Sequence, residues 1–129
     1  MAVTAFGMAL REARKFTGDT LLTMSEDLKK SPAFLSAIET GKTKIPLDFV
    51  GEIVDFFSKK NYGFKQNLIE LAMVDNQNAP LNGLSYQHQM MIAGFANSSF
   101  NKDQLDKICA LLQEIKGIDQ EASSDVEQC

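Results

Sequence analysis

Apolar residues recur at intervals of three and four along almost the whole chain, while alternating strand patterns are nearly absent. Side chains spaced in that way share one face of a helix, whereas a half-buried strand needs a period of two. The chain is therefore read as all-α. The first helix follows Thr4 and places Phe6, Ala9, Leu10 and Ala13 on one face before ending near Thr17 and Gly18. A second runs from about Thr20 to Leu28, with Leu21, Met24, Ser25 and Leu28 inward. The third opens at Ser31, whose hydroxyl can accept an orphan backbone N–H, with Pro32 at the first helical position where its missing N–H costs nothing. Gly41 closes it, as a residue tolerant of left-handed backbone. Pro46 opens a fourth helix with a wide face of Phe49, Val50, Ile53, Phe56 and Phe57, and a fifth follows Gly63 with Phe64, Leu68, Leu71 and Ala72.

The stretch DNQNAPLNG, from Asp75 to Gly83, is rich in turn formers and marks a boundary. Beyond it a sixth helix is expected from about Ser85 to Ala96. The seventh has the clearest start signal: Asn101 as cap, Gln104 three residues on, and Phe100 placed to staple onto Leu105. It is expected to stop at Lys116 and Gly117. Its residues Leu105, Ile108, Leu112 and Ile115 make a two-heptad seam, which reads either as packing onto its own chain or as a dimer or partner contact. The tail GIDQEASSDVEQC has no periodicity and carries four acids and no base, the composition of a disordered end. The expected organisation is thus a domain over residues 1–76, a helical extension over 77–117 for dimerisation or partner binding, and an acidic tail over 118–129. A length of 129 residues allows one domain, or a small domain with an accessory one.

Several classes of chemistry find no support. The N-terminal MAVTAFGMALREARK meets Arg11 and Arg14 early and holds no apolar run fit for a signal peptide or membrane helix, so a cytoplasmic chain without membrane contact is expected. Cys109, Cys129 and His88 suggest neither a zinc site nor a disulfide framework, and they read as a packed thiol, a terminal thiol and a helix-surface imidazole. No acid pair, Ser/His/Asp set, phosphate loop or metal cluster stands at motif spacing, so no catalytic residue, metal or cofactor is expected and the chain is not read as an enzyme. Met90 and Met91 read as core or interface filler.

The formal charge of −4 conceals a split. Through Lys65 there are ten Lys and Arg against eight Asp and Glu; from Gln66 onward there are three against nine. Nucleic acid could sit on the first half, and the acidic half must face away from it or meet another partner.

The segment TLLTMSEDLKKSPAFLSAIETGKTKIP, residues 20–46, joins two short helices by a tight turn and follows the second with a basic loop. The first of these helices holds Ser25, the second holds Leu35 and Ile38, and Glu39-Thr40-Gly41-Lys42 follows at its end. In these features the chain resembles the Cro and λ-repressor-like (XRE-type) helix-turn-helix family, over about residues 4–73. The resemblance implies a five-helix λ-repressor-like DNA-binding domain with a helical C-terminal extension. It also implies a structural pair between Arg14 and Glu39, and a recognition helix whose N-terminal end enters the major groove. By position the base-facing residues would be Ser31, Pro32, Ala33 and Ala37, with Phe34, Ser36 and Thr40 near them; Phe34 reads equally as plain core. Lys30, Lys42, Thr43 and Lys44 would grip phosphates, whereas Lys59 and Lys60 read as a solvated pair.

Three positions depart from the family pattern. The recognition helix has no long polar side chain where relatives use bidentate contacts, so direct readout would rest on serine hydroxyls and on apolar contact with thymine methyls, helped by DNA shape or dimer spacing. Lys29 and Lys30 stand in the turn where a glycine is usual, and Leu21 stands where a glutamine often touches phosphate. The function implied is a dimeric transcriptional repressor on double-stranded DNA carrying an inverted repeat. The alternative is an antitoxin that neutralises a toxin through its C-terminal half and represses its own promoter.

Overall fold

The computed structural model describes residues 2–119. They form α1 (Ala5–Thr17), α2 (Leu21–Leu28), α3 (Pro32–Glu39), α4 (Leu47–Ser58), α5 (Leu68–Asn76), α6 (Tyr86–Ala96) and α7 (Lys102–Asp119), with no strand among the described residues.

Capping chemistry sets where most of these helices begin. The first N–H groups of a helix have no partner inside it, and a side-chain oxygen just before the helix can accept from one of them. Thr4 accepts from Gly7, Ser31 from Phe34 and Ser85 from His88. Thr20 and Thr23 form a reciprocal box, and so do Asn101 and Gln104, at 2.8 and 3.0 Å. Helix α5 starts at Leu68 and not just after Gly63, because Asn67 accepts from both Ile69 and Glu70 and fixes the start there. Phe64 lies ahead of it, edge-on to Phe57 and Tyr62 at 5.5 and 5.1 Å. Pro46 sits one place earlier than expected, as the residue before α4, and α3 reaches its cap at Thr40 with Gly41 following at φ +78°.

The chain divides into two compact units between Ala79 and Pro80, inside the turn-rich stretch. In the first unit α1 packs on α3 and α5, α2 on α3 and α4, and α4 on α5. Phe6, Leu10, Met24, Leu35, Ile38, Val50, Ile53 and Phe57 are fully buried between them. Each such side chain contributes about 1.5–3 kcal/mol when removed from water.

The second unit is built differently: no described residue of α6 or α7 is buried. Helix α7 runs on through Asp119, past the expected stop at Lys116 and Gly117, so residues 118 and 119 are helical where a disordered tail was expected. A glycine at 117 costs only about 1 kcal/mol within a helix and need not end one. The rest of that tail, 120–129, lies outside the described residues. Cys109 is disulfide-bonded, which corrects the reading of a packed thiol.

Candidate nucleic-acid interface

Helices α2 and α3 are joined by Lys29, Lys30 and Ser31. Lys29 takes the left-handed conformation at φ 58°, a place where a side chain costs about 1–2 kcal/mol relative to glycine. The turn is held by Ser25, whose carbonyl accepts the N–H groups of Lys29 and Lys30 while its hydroxyl donates to the carbonyl of Lys30. Ser25 is buried, so the small side chain both permits the close crossing and satisfies a polar group inside it.

Helix α3 turns Leu35, Ile38 and Glu39 into the core. Ser31, Pro32, Ala33 and Ser36 are exposed, and Ala37 and Thr40 are half-buried. Phe34 packs against the core, its ring 5.8 Å from that of Phe49, so it serves packing and lies off the exposed face. Thr40 is likewise withdrawn, its hydroxyl donating to the Ser36 carbonyl at 2.9 Å. The loop after α3 folds back, with the N–H groups of Lys42 and Thr43 donating to the Ala37 carbonyl at 2.9 and 3.4 Å. Lys42 and Thr43 are exposed beside the helix.

The cations differ in what they touch. Lys44 donates to the Asn76 carbonyl at 2.6 Å, at the end of α5, where the helix dipole favours a positive charge. The Asn76 side chain clamps the Ile45 backbone in both directions, at 2.7 and 2.9 Å. Lys30 lies over the rings of Phe34 and Phe49, at 5.8 and 5.2 Å from their centres, which holds its ammonium near the start of α3. Lys60 pairs with Asp19 at 2.9 Å, while Lys59 is exposed. Burial pushes the Asp19 carboxyl up, but hydrogen bonds from Thr17, Lys60 and Thr23 and the Lys60 charge outweigh it, so its pKa lies below 3.8.

The C-terminal end of α3 is fixed to α1. Arg14 grips Glu39 with both terminal nitrogens, and Arg11 adds a contact at 3.4 Å. The Glu39 carbonyl accepts from both the N–H and the hydroxyl of Thr4, each at 3.1 Å. This junction requires Gly7, since a Cβ there would overlap the Glu39 carbonyl oxygen. The Phe6 N–H donates to Asp75 at 3.0 Å and ties the start of α1 to α5. Reading the sequence missed Gly7, Asn76 and Arg11; the one local signal was a glycine inside a helical pattern, which often marks close backbone approach.

Leu105, Ile108, Leu112 and Ile115 are exposed along α7. Leu21 is half-buried against the first unit's core, and His88 is exposed. Among the described residues no group of three His, Cys, Asp or Glu side chains could hold a metal ion, and no helix is long and apolar enough to cross a membrane. Compared with protein-family models, with curated proteins and with solved structures, the chain has no match in any of the three.

Proposed function

We infer that residues 1–76 are a helix-turn-helix domain of the Cro and λ-repressor type, and that the protein is a sequence-specific DNA-binding transcriptional repressor. The observation that carries this reading is the exposed side of α3. It is a short helix anchored through Leu35, Ile38 and Glu39, and it offers Ser31, Pro32, Ala33 and Ser36 outward between Lys30 and Lys42. A helix of small outward residues can lie deep in a major groove, and flanking cations fall near the phosphates on either wall. Pro32 has no N–H and that of Phe34 is taken by Ser31, so the first turn of α3 adds the N–H of Ala33 as a donor for a phosphate oxygen.

Few cations are available for that grip, since Lys44 is held by Asn76 and the two arginines of α1 by Glu39. Affinity then falls with salt at a slope of about −0.9 per phosphate contact, and the total slope is small. The test is selection of bound DNA from a random pool, followed by salt titration of native protein and of Lys42→Ala. The expected result is one enriched motif, with Lys42→Ala binding all sequences more weakly by a similar factor. No enrichment, or an affinity that does not respond to salt, overturns the reading.

A further inference from the structure

We propose that Cys109 and Cys129 form a reversible disulfide that returns residues 120–129 to the side of α7 when oxidised and releases them when reduced. Cys109 is disulfide-bonded, and the sequence holds one other cysteine, Cys129. A second observation marks the same side of the helix. From Leu105 to Gly117 every residue of α7 is exposed except Cys109 and Gln113, which are half-buried. They stand four residues apart and so share one side. Lys116, three residues further on, extends that side, and none of the three is without a partner. A narrow covered strip of this kind is what a returning segment leaves. A partner seated on the apolar stripe would cover Leu105, Ile108, Leu112 and Ile115 instead, and these are exposed.

Length and charge select the occupant. From Cys109 to Asp119 the helix rises about 15 Å, at about 1.5 Å per residue. The ten residues 120–129 span roughly 33 Å when extended, so they reach back to Cys109 with slack. They carry Glu121, Asp125 and Glu127 and no base, and Lys116 stands on the side they follow. A linker this short holds the two thiols at about millimolar effective concentration, so at micromolar protein the bond closes within one chain. Cys109 borders Leu105 and Leu112, four residues before it and three after, so the oxidised segment lies along the edge of the apolar stripe. Because Cys109 is only half-buried, a small thiol can reach the bond. The oxidant is a small disulfide such as oxidised glutathione. One cysteine thiolate attacks it and expels a glutathione thiolate; the second attacks the protein-side sulfur of the mixed disulfide and expels the other glutathione. The protein thiols lose two electrons and two protons, and the small disulfide leaves as two thiols. Reduced glutathione reverses both steps.

The disulfide stands independently of the DNA reading, since no residue of the first unit enters it. The full chain is incubated with oxidised and then with excess reduced glutathione, and its thiols are counted by mass after alkylation. Oxidation is expected to give a monomer lighter by two hydrogens with neither thiol alkylated, and a non-reducing peptide map that joins the Cys109 and Cys129 peptides. Reduced glutathione should restore both thiols. Digestion by a glutamate-specific protease reads the segment itself: cleavage after Glu121 should be about 10-fold slower in the oxidised chain, because a covered segment must open before it is cut. Cys129→Ser should be cut at the reduced rate in both buffers. A covalent dimer, a mixed glutathione adduct as the end product, two free thiols after oxidation, a bond that resists reduced glutathione, or equal cleavage rates in the two states each overturn the proposal.

Discussion

Replacing Arg14 with Ala removes the principal partner of a carboxylate whose side chain is only 2% exposed, while Arg14 itself is 12% exposed. Breaking a buried pair from one side costs about 3–5 kcal/mol when nothing replaces the lost charge. Here Arg11 stays within 3.4 Å of Glu39, but it is half exposed and so screened by solvent. Its help is partial, and the expected loss is about 2–3 kcal/mol. Lysine at the same place keeps the charge but not the two-pronged geometry, so Arg14→Lys should lose about half as much. The pair is isolated by a double-mutant cycle of Arg14→Met, Glu39→Met and their combination, followed by urea unfolding under far-ultraviolet circular dichroism. Two methionines fill the volume with no charge to strand, so the double variant should be more stable than the sum of the single losses implies, by about 1–3 kcal/mol. In thermal melting the single Ala variant should lose on the order of 10 °C. A coupling below about 0.5 kcal/mol would refute the view that this pair locks α1 to α3.

Gly7→Ala should destabilise by about 1–3 kcal/mol although alanine is the better helix former, because its Cβ overlaps the Glu39 carbonyl oxygen. Gly51→Ala, inside α4 with nothing within 4 Å of the added carbon, should instead stabilise by about 0.5–1 kcal/mol, and parallel melting curves compare the two. The lowered Asp19 pKa makes its contribution to stability complete above pH 3.8 and lost as pH falls through the folded-state value, so Asp19→Asn should flatten the acid limb of a stability-against-pH curve. Ala33→Gln would place an adenine-directed donor and acceptor on the exposed side of α3 and should shift the preferred base by about 1–3 kcal/mol; identical bound-sequence profiles for the two proteins would remove α3 from the groove.

Helix starts were legible because a cap is decided within three or four residues. Thr4, Ser31, Ser85 and Asn101 act on N–H groups that near in sequence, and the chain alone shows them. The start of α5 was misplaced for a related reason: Phe64 fits the apolar period of a helix, yet its packing is settled by Phe57, and Asn67 decides the boundary. Roles settled between distant residues left little trace. Phe34 turns inward because Phe49 receives it, and Lys44 is drawn to Asn76, 32 residues along the chain. A basic loop read from sequence therefore counts as available a lysine that the fold employs internally. With Lys44 engaged, the cations left beside α3 are Lys29 and Lys30 in the turn, the second held over two rings, and Lys42. If α3 is the DNA-reading helix proposed above, a surface so sparing in cations and long polar side chains gives few direct contacts to bases. The seam of Leu105, Ile108, Leu112 and Ile115 was visible in sequence, whereas the exposure of Tyr86, Met90, Met91 and Phe95 on α6 depends on what packs against them and was not.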